Sequence, residues 1–183
     1  MPILFQLTAY VLAAMTAWAP RADPKHLHDI ALDIAAVSLE QAPLFKDDDH
    51  RARTALLFAS IARYESDYAE WVDDGRCNDR AWLASEEGKR VHHGSTCDGG
   101  HAYGLWQVHH YAGLPTGEEM VADRRVAIRA AMVVLRASLA RTGDLCGYTG
   151  ETGECRKGEL RLRNALVWEK GHPYETVVAK LGD

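Results

Sequence analysis

Apolar positions along this chain recur mostly at helical spacing, and no strong two-residue alternation appears. Residues 54–66 are the most informative stretch. Thr54, Leu57, Phe58, Ile61 and Ala62 fall on one helical face, and Glu65 continues that face four positions after Ile61. An acid therefore stands where the pattern calls for an apolar side chain. Burying a carboxylate is costly unless it is paired or protonated, and desolvation alone favours its neutral form. A carboxyl that keeps its proton near neutral pH is what a general acid requires. The bland alternative is a helix-end glutamate whose apolar stripe has already ended at Ala62.

Other segments extend the helical reading. Residues 2–20 carry no charge and are dominated by Ile3, Leu4, Phe5, Leu7, Tyr10, Val11, Leu12, Met15 and Trp18. Asp23 and Pro24 give the N-cap and first-turn signals of a second helix. Its inner stripe is Leu27, Ile30, Ala31, Ile34, Val37 and Ser38, and Pro43 marks its end. The run Asp47-Asp48-Asp49 places negative charge at the N-terminal pole of the Glu65 helix. Residues 67–110 lose periodicity among many glycines, with one short helix near 79–87. A loop that long is usually functional. Residues 123–141 are apolar nearly all round and are expected to form the central buried helix. Residues 160–170 and 173–181 read as closing helices, with Gly171 at the C′ position between them. The expected fold is mainly α, with residues 1–22 an apolar extension and residues 23–183 the body.

Composition narrows the function classes. A chain of 183 residues with net charge −5 has no basic footprint, so nucleic acid is not an expected partner. The run 3–18 has three readings: a signal segment, a membrane span, or an apolar helix docked on its own body or on a partner. No basic region precedes it, and Gln6, Thr8 and Thr16 interrupt it, which favours docking and leaves a membrane or protein partner open. Cys77, Cys97, Cys146 and Cys155 lie in glycine-rich segments without C-x-x-C spacing. They read as two local disulfides, Cys77 with Cys97 and Cys146 with Cys155, which implies an oxidising, extracytoplasmic location. Four free thiols are the alternative.

Three short motifs stand in order: Tyr64-Glu65-Ser66, Gly104-Leu105-Trp106-Gln107-Val108 and Gly147-Tyr148-Thr149-Gly150-Glu151. Together they resemble the soluble-type lytic transglycosylases of the lysozyme-like family, whose motifs run Glu-Ser, Gly-Leu-Met-Gln-Ile and Ala-Tyr-Asn-x-Gly. Many phage-encoded cell-wall enzymes look similar. The likeness spans about residues 54–148, with a looser continuation to Trp168. It implies an α+β lysozyme-like fold with a substrate groove, a peptidoglycan strand as substrate and no cofactor. Glu65 matches the catalytic carboxyl, Ser66 and Gln107 match polar substrate contacts, and Tyr148 matches the tyrosine that approaches the catalytic carboxyl. Thr149 replaces the usual Asn and Trp106 the usual Met, which puts fine substrate contacts in question.

The implied reaction protonates the bond between MurNAc and GlcNAc and closes a 1,6-anhydro ring through the C6 hydroxyl of the muramoyl residue. An intramolecular hydroxyl removes the need for the second carboxyl of ordinary glycoside hydrolysis. Asp73 and Asp74 keep a hydrolytic, goose-type lysozyme alternative open, although Asp-Asp-Gly also reads as a solvated turn. A catalytically inactive virion protein of the same fold is a further alternative, as is a membrane-tethered binding module. Trp71, Trp82, Tyr103 and Trp106 are candidates for stacking on sugar rings, with Trp82 also readable as core. His92, His93, His101, His109 and His110 flank two cysteines but have no helical i,i+4 pairing, so no metal site is expected.

Overall fold

The apolar run at the start folds as α1 (Ile3–Trp18), and its inner face of Leu7, Tyr10, Val11, Ala14 and Met15 is fully buried. This helix docks on α2 (Pro24–Glu40), on α3 (Ala52–Ser66) and on the closing helix near the other end of the chain. Its first turn leaves Ile3, Leu4 and Phe5 exposed. The computed structural model describes residues 2–92, 97–148 and 155–180. Among them no helix is long and apolar enough to cross a membrane.

Capping follows the sequence. Asp23 accepts the His26 backbone N–H at 2.7 Å, with Pro24 in the first turn of α2. The six residues of the expected inner stripe are all buried. From the acidic run, Asp48 is the residue that serves α3. Its carboxylate accepts the backbone N–H of Arg53 at 2.8 Å and of Thr54 at 2.9 Å, and also the Thr54 hydroxyl. Three donors on one carboxylate at a helix N-terminus stabilise both the ion and the helix start.

Beyond α3 come three short helices, α4 (Glu70–Asp73), α5 (Arg80–Ala84) and α6 (Glu86–His92). A two-stranded antiparallel hairpin follows, β1 (Ala102–Tyr103) and β2 (Val108–His109), in register Ala102 to His109. Then come α7 (Gly117–Ala122), α8 (Arg124–Thr142), α9 (Cys155–Gly171) and α10 (Tyr174–Ala179). The described residues are thus mainly helical, as expected. Two short helices, not one, occupy the neighbourhood of residues 79–87, and Gly171 closes α9 from inside rather than standing beyond it.

One expectation is corrected. Residues 123–141 do form a helix, but α3, not α8, is the central one. Every residue from Thr54 to Ala62 is buried, with α1, α2 and α9 packed around it. Ala55, Ala59 and Ala62 are small enough to admit neighbours on several sides. In α8, Val133 is 57% exposed. Its arginines turn to α2 instead: Arg124 and Arg125 both reach Asp33, and Arg129 reaches Glu40. Four arginines in its first four turns leave α8 only a one-sided apolar face.

A single large core links α1, α2, α3, α8 and α9, and also takes in Leu105, Trp106 and Tyr174. A separate small cluster of Val72, Cys77, Cys97 and Ala102 holds together the lobe built from residues 69–92 and 97–103. Two disulfides form, Cys77 with Cys97 and Cys146 with Cys155, at Cα separations of 5.4 and 4.4 Å. Such bridges fit an oxidising compartment.

Candidate active site

The last turn of α3 delivers Tyr64, Glu65 and Ser66 to a cavity of about 480 Å³. That volume lies within the roughly 300–1,000 Å³ usual for small-ligand sites. What ends α3 also shapes this cavity. Asp67 and Tyr68 both adopt left-handed backbone, a conformation that costs a non-glycine residue on the order of 1–3 kcal/mol at its most strained. The fold holds them there. Tyr68 is buried, its hydroxyl donates to Ala59 O at 2.9 Å, and its own carbonyl lies 3.0 Å from His26 Nε2. The chain thereby doubles back, and α4 brings Trp71 to the same cavity.

Glu65 is paired. The Arg161 guanidinium on α9 donates from Nη2 to Glu65 Oε1 at 2.6 Å, and the two side chains are 7% and 19% exposed. Of the two ways to keep a carboxylate in an apolar place, the protein uses an opposite charge. Arg161 also lies over the Tyr64 ring, 5.9 Å from its centroid. Its neighbourhood is locked by Ser60, whose hydroxyl donates to Arg161 O at 2.8 Å and accepts from Asn164 Nδ2 at 3.1 Å. Sequence reasoning missed Arg161. The available signal was a charge three residues after Gly158 and four before Ala165, on the side of α9 that those small buried residues mark as inward.

The second motif forms the hairpin loop between β1 and β2. Gly104 and Gln107 both have positive φ, 63° and 49°, which lets four residues reverse the chain. Leu105 and Trp106 then point into the core, and Gln107 lines the cavity. Gln107 Nε2 donates to Gly104 O at 2.9 Å, so its orientation is held. Trp106 is fully buried, with Nε1 donating to Phe58 O at 3.0 Å. It is a core anchor under α3, not a platform for a sugar ring. Tyr103 packs its ring against Gly117, where a Cβ would come within 2.1 Å, and its hydroxyl donates to Gly100 O at 3.2 Å.

From the third motif, the Tyr148 hydroxyl donates to the carbonyl of Trp106. Burial raises its phenol well above the ordinary range, and the Glu65 charge pushes in the same direction. Tyr148 therefore stands within electrostatic reach of Glu65. Thr149 lies outside the described residues. Ser66 lines the cavity while its hydroxyl bonds back to Ala62 O at 2.8 Å.

The aspartates divide differently from expectation. Neither Asp73 nor Asp74 lines the cavity. Asp73 accepts from Arg124 Nε at 2.8 Å and lies 4.0 Å from His26 Nδ1, while Asp74 pairs with Arg76 at 3.3 Å. Burial raises the Asp73 carboxyl above its ordinary range even so, against the pull of Arg124. Besides Glu65, the carboxylates that line the cavity are Asp67, paired with Arg63, and Asp98, beside Cys97 and held at 2.6 Å by His109 Nε2. His92 lines it too. Among the described residues, no three histidine, cysteine or acidic side chains gather as a metal site; His93 lies outside them.

The fold and site define a mainly helical protein with a carboxylate-bearing cavity at the end of its central helix. No family model, curated protein or solved structure matches this chain.

Proposed function

We propose that this protein cleaves the MurNAc–GlcNAc β-1,4 bond of peptidoglycan as a lytic transglycosylase, with Glu65 as its single catalytic carboxyl. One observation carries the reading. Glu65, Ser66 and Gln107, from motifs some 40 residues apart, line one cavity, and Tyr148 from the third motif donates its hydroxyl to the carbonyl of Trp106 in the second. Residues of the first two motifs thus line the same cavity.

In this mechanism Glu65, held against Arg161 in this structure, first takes a proton from solvent and then gives it to the glycosidic oxygen as the bond to the muramoyl carbon breaks. The positive charge that develops at that carbon is quenched by the C6 hydroxyl of the same sugar. Glu65, now ionised, takes the hydroxyl proton, and the 1,6-anhydro ring closes. No water is consumed. The Arg161 contact at Oε1 helps to orient the carboxyl. The permanently charged guanidinium also favours the carboxylate that forms in the first half and acts as base in the second. Two disulfides suit work outside the cytoplasm, in a phage virion or a bacterial periplasm.

Asp98 supports a second reading. It places another carboxylate in the Glu65 cavity, as hydrolysis by two carboxyls requires. Mass spectrometry of digested sacculi separates the two, since an anhydromuramoyl product is one water lighter than a hydrated one. In the transglycosylase reading Asp98→Asn keeps the anhydro product at an undiminished rate. A hydrated product, with a loss on the order of 10²–10⁴-fold in Asp98→Asn, would assign the protein to the hydrolases. Intact sacculi after prolonged incubation would leave the inactive structural module as the better account.

A further inference from the structure

The helix that brings Arg161 to Glu65 has a second side. α9 faces the core with Gly158, Arg161 and Ala165, all three buried, and packs on α3. Half a turn away, Arg156, Leu160, Arg163, Val167 and Lys170 are all exposed. Their spacing runs four, three, four, three, so they stand in one line along the helix, about 21 Å long. Basic and apolar side chains alternate along that line. Leu160 is 46% exposed and Val167 63%, and Leu166 beside the line is 39% exposed.

The charge on this side is uneven. Within α9, Arg161 is taken by Glu65 and Glu169 by Arg53. Arg156, Arg163 and Lys170 hold no ion pair among the described residues, and Glu159 is the acidic residue of α9 left on the outer side. This excess of positive charge stands on a chain whose net charge is −5, so it is local to the helix. A soluble polyanion would engage the basic residues alone. An anionic bilayer surface uses both halves of the pattern. Lipid phosphates attract the basic heads, the long Arg and Lys stems lie along the surface, and the aliphatic side chains enter between the headgroups. α1 offers no such pattern: its inner face is spent on the core, and its exposed first turn of Ile3, Leu4 and Phe5 has no basic residue beside it in residues 2–20.

We propose that the outer face of α9 is a membrane-docking surface that lies flat on an anionic phospholipid bilayer. Arg156, Arg163 and Lys170 meet the phosphates, and Leu160 and Val167 seat among the headgroups. The inner side of α9 stays on α3, so docking needs no opening of the fold. The surface is independent of the chemistry at Glu65.

The test is flotation of the full chain with vesicles of phosphatidylcholine, alone or mixed about one to one with phosphatidylglycerol. Binding is expected on the mixed vesicles only. Raising salt from about 0.1 M to about 1 M shortens the screening length from about 10 Å to about 3 Å and should release the protein. Arg156→Gln, Arg163→Gln and Lys170→Gln should each lower the partition coefficient about fivefold. Leu160→Ser combined with Val167→Ser should lower it about tenfold. All five positions are exposed, so far-UV circular dichroism should stay at the wild-type level in every variant. No binding to the mixed vesicles, equal binding to both kinds, or binding that survives the triple glutamine variant would overturn the docking surface. So would glutamine variants that weaken binding while the serine pair does not, which would make the face a site for a soluble polyanion. Binding lost in Phe5→Ser and kept in the α9 variants would move the contact to α1.

Discussion

Arg161 Nη2 lies 2.6 Å from Glu65 Oε1, joining the last turn of α3 to α9 across 96 residues of chain. With the two side chains 7% and 19% exposed, this is a largely desolvated ion pair. Such pairs add little net stability when intact, but losing one partner leaves an uncompensated charge. The candidate catalytic carboxyl is therefore also a structural group, which alters what its removal should do.

Glu65→Gln should abolish lysis of sacculi, because the amide cannot donate and recover a proton. From sequence alone the substitution looks neutral or stabilising. With Arg161 in place it should instead destabilise, by about 1–3 kcal/mol, since a neutral amide compensates the guanidinium poorly. Thermal unfolding would register this as a drop of several degrees, at about 2–4 °C per kcal/mol for a chain of this size. Turnover above a few per cent of wild type would remove Glu65 from its role.

Arg161→Met keeps most of the side-chain volume and should cost about 2–4 kcal/mol by taking the guanidinium away from the largely buried Glu65. Arg161→Lys should not restore the loss fully, because an ammonium lacks the planar guanidinium fork. Combining Arg161→Met with Glu65→Gln should cost less than the two single changes added together. A double-mutant cycle by urea unfolding measures the difference, and a coupling below about 0.5 kcal/mol would show the pair to be energetically idle.

Asp73 supplies a pH signature separate from the cavity. Burial raises its carboxyl from the ordinary 3.8 despite the Arg124 contact, so the native state binds this proton more tightly than the unfolded chain. The resulting stability is fully present below about pH 3.8 and is lost as pH rises through the folded value. Asp73→Asn removes that dependence. Urea unfolding from about pH 3 to 6 should show the wild-type advantage over Asp73→Asn shrinking as pH rises. Lysis should be nearly unchanged in the same variant, because Asp73 points at Arg124 and His26 rather than at substrate.

The lobe of residues 69–92 and 97–103 should fail before the body does. Two of the four buried residues in its small core, Cys77 and Cys97, are the disulfide itself. Closing a loop of that length is worth about 3 kcal/mol. Mild reduction should therefore suppress lysis while far-UV circular dichroism still reports the helices of the larger core. Thiol titration of the unfolded, unreduced chain should find no free cysteine, and four would refute both bridges.

Much of the helical frame was legible in the sequence. The stripe from Leu27 to Ser38, the Asp23 cap and the inward face of residues 54–62 each depend on contacts a few residues apart, which spacing encodes directly. The two cysteine pairings were legible for the same reason, being local. Less was legible at the site. The motif order pointed to Glu65, Ser66 and Gln107, but it also suggested Trp106 for the groove, because composition cannot tell which face of a four-residue hairpin loop meets solvent. It offered Asp73 and Asp74 as second carboxyls on nearness in sequence, while Asp67 and Asp98 are the ones that line the cavity.

What the chain determined by itself was the longer helices and the inner stripe of α2, since period and capping are properties of adjacent residues. Which charges meet was decided only by packing. Glu65 finds Arg161 through the register of α9 on α3, and Arg124 and Arg125 find Asp33 through the register of α8 on α2. That register follows from how small and large side chains interlock across whole helices, so no local spacing carries it.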